Sequence, residues 1–165
     1  MGLGTGLNAF MTLLETQNSN RTVTYHGIEA YPISLEHAKQ LNYPKLLNHI
    51  DKVDQFLQIH SSEWNVAHQM TPHFNFTKFQ QTIETVNLPG HYQIIYFDAF
   101  APSAQPELWE EALLKKMYDY LDSDGILVTY CAKGVFKRTL KKIGFEIEAI
   151  PGPPGKREMT RAIKR

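Results

Sequence analysis

The apolar run over residues 92–97 constrains the fold of this chain more than any other feature. It reads YQIIYF, follows the pair Pro89-Gly90, and is followed directly by Asp98. A run this apolar, bounded by turn residues, is typical of a strand buried on both faces near the centre of a parallel sheet. Strand and helix patterns alternate along most of the chain, which predicts an α/β fold with a mainly parallel sheet covered on both faces.

Capping and breaking residues set the other predicted elements. Ser34 is a suitable helix N-cap, Pro44 interrupts the helix that follows, and Gly144 is a C-terminal stop. The turn-forming run PGPPG separates the last two strands, which we expect to form an antiparallel hairpin. Helices are expected over 7–15, 34–41, 50–60, 82–86, 107–121 and 135–143, and further strands over 22–30, 73–79, 126–131, 145–150 and 159–163.

Length and composition limit the classes of protein that the chain can belong to. With 165 residues and 42% hydrophobic content, the chain suits one globular domain over 1–165. It contains no run of about 18 apolar residues and no signal-peptide pattern, which predicts a cytoplasmic protein with no membrane partner. Cys131 is the single cysteine and the histidines lack ligand spacing, so we predict no disulfide and no metal site.

The charge distribution is uneven although the net charge is zero. Residues 133–165 contain ten of the 17 basic residues but three of the 17 acidic ones. A basic segment of this kind can face a polyanion such as a nucleic acid. The alternative interpretation is that these side chains keep the outer face of a terminal helix in water.

Three glycines, Gly2, Gly4 and Gly6, open the sequence just before a predicted helix. Glycine lets the backbone approach a ligand closely, and the free N–H groups of a helix N-terminus favour an anionic group. Glu29 ends the next predicted strand, 23 residues after Gly6, where a carboxylate can accept hydrogen bonds from ribose hydroxyls. Both nicotinamide dinucleotides and S-adenosylmethionine fit this pattern, and an ordinary tight turn is the alternative for the glycines.

Asp98 begins the second candidate cluster, because it follows the most apolar strand and therefore lies at the carboxyl edge of the sheet. The proline-containing loop after it is stiff enough to hold Phe100 and Pro102 as an apolar wall beside this carboxylate. A catalytic role requires Asp98 to be a buried acid next to a reactive atom. The alternative is a turn or helix-capping residue.

Four strings together give the chain a specific family resemblance: GLGTGLNAF, YFDAFAPSAQPELW, AKGVFKRTLKKIGF and GPPGKREM. In this order and spacing they resemble the MnmC-type tRNA 5-methylaminomethyl-2-thiouridine methyltransferases. The resemblance implies a Rossmann-like class I methyltransferase sheet with an antiparallel C-terminal hairpin. It also implies methyl transfer from S-adenosylmethionine to the 5-aminomethyl nitrogen of the wobble uridine in the tRNA anticodon loop. Some members carry a fused oxidase domain, and this chain resembles the stand-alone methyltransferases.

The resemblance also assigns roles to individual residues. Asp98 would face the substrate amine and help it lose a proton, while Phe100 and Pro102 wall the site. Trp109 would provide either a stacking surface or helix packing. Residues of the first string and Glu29 would bind the cofactor, the glycines at its methionine part and the glutamate at its ribose: Gly2, Gly4, Gly6, Asn8 and Glu29.

Basic residues of the last two strings are candidates for contacts with tRNA phosphates. Lys133, with Lys137 and Arg138, falls early in a predicted helix beside the carboxyl edge of the sheet, where solvated helix positions are the alternative. Lys156 and Arg157 would either contact phosphates or pair with Glu158 to fasten the last hairpin.

Two positions depart from the family pattern. Many relatives have a Gly-Asp pair after the third strand that reads the adenine, whereas this chain has Thr77-Lys78 there. Met1 stands where the family has an apolar strand at the centre of the sheet, and the loss of that strand would leave two neighbouring edges unpaired. We therefore expect a truncated or misassigned start.

Three functional hypotheses follow. The first is the tRNA wobble-uridine methyltransferase, and the second is a small-molecule N-methyltransferase in which the basic tail has no substrate role. The third is a non-catalytic RNA-binding remnant of the same fold, which would bind the cofactor poorly.

Overall fold

The computed structural model describes residues 1–19 and 21–165. The chain divides into two compact units: the first is Gly2–Val86, and the second is Met1 with Asn87–Arg165. Each unit contains one sheet with accompanying helices, which confirms the predicted α/β class. The assignment of residues 1–165 to one domain stays a prediction. Among the described residues, none of the helices combines the length and apolar character that crossing a bilayer requires.

The sheet of the first unit has the strand order β1-β3-β2. β1 and β3 are parallel, with Val23 opposite Phe74 and Ile28 opposite Phe79, and β2 is antiparallel to β3. The elements are α1 (Leu7–Ser19), β1 (Val23–Ile28), α2 (Leu35–Gln40), α3 (Tyr43–Leu46), α4 (Val53–Ser61), β2 (His68–Thr71) and β3 (Phe74–Phe79), with a 3-10 turn at Ile50–Lys52.

Helices α1 and α4 and strand β3 supply the core of the first unit. Phe10 and Phe56 meet edge to face with ring centroids 5.2 Å apart, and Phe74 and Phe76 are fully buried beside them. Each buried aromatic side chain of this kind contributes about 2 kcal/mol or more through removal of apolar surface from water.

The sheet of the second unit has the order β4-β5-β7-β6. β4 and β5 are parallel, whereas β7 is antiparallel to both β5 and β6, so the predicted C-terminal hairpin is confirmed. The elements are β4 (Tyr92–Tyr96), a 3-10 turn (Pro106–Trp109), α5 (Glu111–Tyr120), β5 (Leu121–Thr129), α6 (Gly134–Ile143), β6 (Phe145–Pro151) and β7 (Glu158–Lys164).

Strands β1 and β4 each lie at the end of their own sheet in the described part of the chain. In the second unit, Met1 lies along the outer side of β4. Its amino group donates to the Tyr96 carbonyl at 2.6 Å, and its carbonyl accepts from the Asp98 N–H at 3.3 Å. In the first unit, the Leu3 N–H donates to the Ile28 carbonyl at 2.9 Å, at the carboxyl end of β1.

Several local predictions are confirmed by their capping residues. The Ser34 hydroxyl accepts from the His37 N–H at 3.2 Å and caps α2. Gly144 ends α6 with φ +120°, a backbone conformation that favours glycine.

Other local predictions are wrong or incomplete. Residues 82–86 form a turn, with one helix-like bond from the Val86 N–H to the Thr82 carbonyl. A single bond of this kind gives little return for the backbone order that it requires. The single helix expected over 107–121 is two elements, since Glu110 is extended between the 3-10 turn and α5. The sequence interpretation also missed α3 and β2.

Lys78 is an unusual residue of β3, because its side chain is only 1% exposed. Its ammonium donates to the His60 carbonyl in the last turn of α4, and it lies 4.3 Å from the centroid of the Trp64 ring. The last carbonyls of a helix lack helical donors and favour a cation. Lys78 therefore serves as an internal C-terminal cap of α4.

Burial lowers the pKa of Lys78 to about 8. Between about pH 8 and pH 10 the unfolded chain therefore holds a proton that the folded chain has released, and stability rises with pH through this window. Relative to Lys78→Met, we expect the free energy of unfolding of the parent chain to rise by about 2 kcal/mol between these values, as measured by urea titrations. Lys39→Met, which changes an exposed lysine of α2, should show the same rise of the free energy of unfolding with pH as the parent. If the free energy of unfolding depended on pH in the same way for the parent and for Lys78→Met, the lowered pKa of Lys78 would be contradicted.

Candidate active site

The glycine turn before α1 has the geometry of a ligand cradle. Gly2, Gly4 and Gly6 have φ values of +72°, +53° and +75°, which side-chain-bearing residues rarely adopt. A Cβ on Gly4 would meet no atom within 4 Å, so this side of the turn is open space that a ligand can approach. A Cβ on Gly6 would lie 2.9 Å from His60 Nε2, so the inner side of the turn is packed.

Glu29 holds this turn against the carboxyl end of β1. Its Oε2 accepts from the Gly4 N–H and its Oε1 accepts from the Tyr31 N–H, each at 2.9 Å. Each carboxylate oxygen has a second lone pair, so Glu29 can still accept hydrogen bonds from a diol. The residues present therefore fit a nucleoside cofactor, with a ribose at Glu29 and the chain attached to it at Gly4.

Asn8 is the second residue of α1, and its carbonyl accepts from the Thr12 hydroxyl at 2.7 Å. It lies near the start of the helix, two residues after Gly6, as expected from the sequence. Its contact with the cofactor stays a prediction.

Two residues near the glycine turn were missed by the sequence interpretation. The His60 ring packs against Gly6 and meets Phe56 edge to face at 5.2 Å, and burial lowers its pKa, so the imidazole is favoured in its neutral form. Tyr31 is 82% exposed although its backbone is held by Glu29. Its position two residues beyond Glu29 was a usable signal, because residues just after a parallel strand line the ligand edge.

In the second unit, the segment after β4 alternates between buried and exposed residues. Phe97 and Ala99 are buried, whereas Asp98 is exposed and Phe100 is 72% exposed. Asp98 and Phe100 therefore share the outward side, as an extended backbone requires. The expectation of a buried acid is wrong, because the neighbouring side chains fill the core and turn Asp98 outward. A catalytic role for Asp98 therefore requires bound substrate to shield this carboxylate from water, and it stays a prediction. Pro102 is half-buried in the loop that follows.

Trp109 packs inside the second unit, which favours the packing interpretation over a free stacking surface. Its ring meets Phe97, Tyr130 and Phe136 edge to face, with centroids 5.1, 6.1 and 5.0 Å apart. Its indole N–H donates to the Phe100 carbonyl at 2.8 Å. Trp109 thus supports the loop that carries Phe100.

Tyr130, which follows β5, was also missed from the sequence. Its hydroxyl donates to the Ala99 carbonyl at 2.9 Å. Its pKa is raised by burial, and also by the nearby Cys131 and Asp98, so it stays a protonated donor at neutral pH. Its place at the carboxyl end of a parallel strand was the signal that the sequence offered.

The candidate phosphate-binding residues differ in their surroundings. Lys133 is the exposed N-cap residue of α6, and Arg157 is exposed in the loop between β6 and β7. The Lys156 ammonium lies 4.4 Å from the centroid of the Tyr130 ring. Glu158 forms its ion pair with Lys137 at 2.8 Å, and its pKa is lowered mainly by Lys137 and also by Arg157. Glu158 thus pairs with Lys137 of α6 and ties the start of β7 to that helix, whereas Arg161 and Glu148 form the ion pair across the hairpin itself.

Comparisons with known proteins agree with this geometry. "tRNA 5-methylaminomethyl-2-thiouridine biosynthesis bifunctional protein MnmC" of Methylobacillus flagellatus is 28% identical over 96% of this chain and 26% of its own length. The protein of the same name from Idiomarina loihiensis is 29% identical over 96% of this chain and 28% of its own length. The chain thus spans about a quarter of these curated relatives.

A solved structure and a family model place the fold. The crystal structure of MnmC2 from Aquifex aeolicus matches with a TM-score of 0.67 and 19% identity, over 97% of this chain and 50% of that one. This match confirms the predicted Rossmann-like methyltransferase fold. The model of the S-adenosyl-L-methionine-dependent methyltransferase family matches residues 42–165, well over half of the sequence. The chain therefore belongs to the S-adenosyl-L-methionine-dependent methyltransferase family, whose cofactor is S-adenosylmethionine.

Proposed function

We propose that this protein methylates the 5-aminomethyl nitrogen of 5-aminomethyl-2-thiouridine at the wobble position of tRNA, with S-adenosylmethionine as the methyl donor. The observation that carries the proposal is that Asp98 and Phe100 share the outward side of one segment, which places a carboxylate beside an exposed aromatic ring. The backbone of this segment is held by hydrogen bonds from Trp109 and Tyr130. The names of the curated relatives contain 5-methylaminomethyl-2-thiouridine, which is the product that this methylation would form.

The first unit supplies the residues that would bind the cofactor. Gly2, Gly4 and Gly6 would hold its methionine part, with Asn8 at the start of α1, and Glu29 would accept its ribose hydroxyls. The exposed ring of Tyr31 would stack on the adenine. Lys78 would not contact the adenine, because its ammonium is hydrogen-bonded to the end of α4. When bound, S-adenosylmethionine supplies an electrophilic methyl group on a sulfonium.

The second unit supplies the residues that would handle the amine and the base. A methyl acceptor must be a neutral amine whose lone pair points at the methyl group. The Asp98 carboxylate would accept a hydrogen bond from the amine N–H and take up the proton that the nitrogen loses. Phe100 would stack on the flipped uridine, and Pro102 would hold the loop that presents this ring.

Cations of the second unit would bind the tRNA backbone. Lys133 and Arg157 are exposed and Lys156 is half-buried; all three lie in the basic segment 133–165, and their positive charge would attract phosphates. Such contacts release counterions, so binding to tRNA should weaken as salt concentration rises.

The cofactor assignment is tested by Glu29→Gln. Loss of a charge-assisted hydrogen bond to a ribose hydroxyl should weaken S-adenosylmethionine binding about 10- to 100-fold, measured by calorimetry. Glu15→Gln, which changes an exposed glutamate of α1, should bind like the parent. Parent affinity in Glu29→Gln would remove Glu29 from the cofactor site, and failure of the parent chain to bind would favour the non-catalytic remnant.

The catalytic assignment is tested by Asp98→Asn. We expect single-turnover methylation of tRNA bearing 5-aminomethyl-2-thiouridine to fall at least about 100-fold, with cofactor affinity changed less than about threefold. Asp119→Asn, a change at an exposed aspartate of α5, serves as the control and should keep full activity. Undiminished methylation by Asp98→Asn would exclude its role. Methylation of free small amines but not of the tRNA would favour the small-molecule enzyme instead.

A further inference from the structure

Two consecutive backbone carbonyls of the Asp98 segment are held by side chains from elsewhere in the second unit. The Ala99 carbonyl accepts from the Tyr130 hydroxyl at 2.9 Å, and the Phe100 carbonyl accepts from the Trp109 indole N–H at 2.8 Å. These carbonyls lie on the two sides of the Phe100 Cα, and the first of them is one residue beyond Asp98. The two side chains therefore hold the backbone at Phe100 and directly after Asp98.

Strand register explains why Tyr130 reaches this segment. Tyr96 of β4 lies opposite Val128 of β5, and the Phe97 N–H donates to the Val128 carbonyl at 2.8 Å. Continuing the parallel register by two residues brings Asp98 beside Tyr130. Tyr130 follows β5 directly, so its place beside the Asp98 segment is set by the register of β4 and β5.

Besides its hydroxyl contact with Ala99, Tyr130 also contacts the loop between β6 and β7, through its ring. The Lys156 ammonium lies 4.4 Å from the ring centroid, within the range of a cation–π interaction. The Lys156 N–H also donates to the Pro153 carbonyl at 2.9 Å, so this loop has a defined turn at Lys156. One tyrosine therefore touches both the Asp98 segment and the basic loop.

We infer that Tyr130 is a positioning residue that couples the basic loop at Lys156 to the Asp98 segment. Its hydroxyl holds the Ala99 carbonyl, and its ring holds Lys156 where the ammonium can meet a phosphate of the substrate nucleotide. The inference rests on the proposed function for its link to tRNA. The hydrogen bond from Tyr130 to the Ala99 carbonyl is formed within the chain and can be tested without a substrate.

The hydroxyl contact is tested by Tyr130→Phe, which removes the hydroxyl and keeps the ring. In hydrogen exchange, we expect the amides of Asp98, Ala104 and Gln105 to exchange about tenfold faster, because the segment loses one of its two side-chain supports. In methylation assays we expect kcat to fall about tenfold, while the KM for tRNA and the affinity for S-adenosylmethionine change less than about twofold.

A matched control is available in the same unit. The Lys164 ammonium lies 4.7 Å from the Tyr118 ring centroid, a contact of the same type that involves α5 and β7. Tyr118→Phe should leave both exchange of the three amides and kcat at parent values. Equal changes in Tyr118→Phe and Tyr130→Phe would mean that loss of a tyrosine hydroxyl acts through general stability, and would overturn the inference.

The ring contact is tested by a mutant cycle with Lys156→Met. In the parent and in Tyr130→Phe, this change should raise the KM for tRNA about fivefold, because Lys156 is held for a phosphate. In Tyr130→Leu, which lacks the ring, the same change should raise KM less than about twofold. An equal effect of Lys156→Met in all three backgrounds would show that Tyr130 does not couple the loop.

The outcomes separate this inference from the proposed function. If the parent chain binds S-adenosylmethionine but does not methylate the tRNA, the proposed function fails, and the exchange rates still decide the role of the Tyr130 hydroxyl. If the parent methylates the tRNA and Tyr130→Phe matches it in exchange and in kcat, the inference fails while the proposed function stands.

Discussion

Parallel pairing of strands is the constraint on which the candidate site depends. Within the first unit, the Glu29 N–H donates to the Phe79 carbonyl at 3.0 Å, so the ends of β1 and β3 coincide and Glu29 meets the glycine turn. Within the second unit, β4 and β5 end together, so Asp98 and Tyr130 become neighbours. In each unit the candidate residues are concentrated where parallel strands stop, because the carboxyl ends of such strands are where open α/β folds place their ligands.

The contacts that surround these strand ends are made largely by backbone groups. Glu29 is held by two N–H groups, and the loop after Asp98 is held through two carbonyls. Backbone groups are present whatever the side chain, so such contacts fix the path of the chain without depending on the identity of the outward residues. This explains how an exposed carboxylate and an exposed phenylalanine can both have a defined orientation in a loop.

Local signals in the sequence were sufficient for elements with strong boundaries. Ser34 and Gly144 marked α2 and α6 because caps act over a few residues. The sequence could not reveal that Glu110 interrupts the helix after Pro106, since nothing in its side chain forbids helix. It also did not reveal Tyr130 and Tyr31, whose roles depend on strand register and on contacts made far along the chain. Lys78 was noticed as a departure, but its burial against α4 depends on tertiary packing that no local pattern encodes.

The two tryptophans of the chain have separate environments. Trp64 lies beside the Lys78 ammonium in the first unit, and Trp109 donates its indole N–H to the Phe100 carbonyl in the second. Replacing either indole by phenylalanine would leave a single tryptophan, whose emission would report on the surroundings of Lys78 in one unit or of the Phe100 carbonyl in the other. The protein thus carries an intrinsic optical probe in each half, with no need for an attached dye.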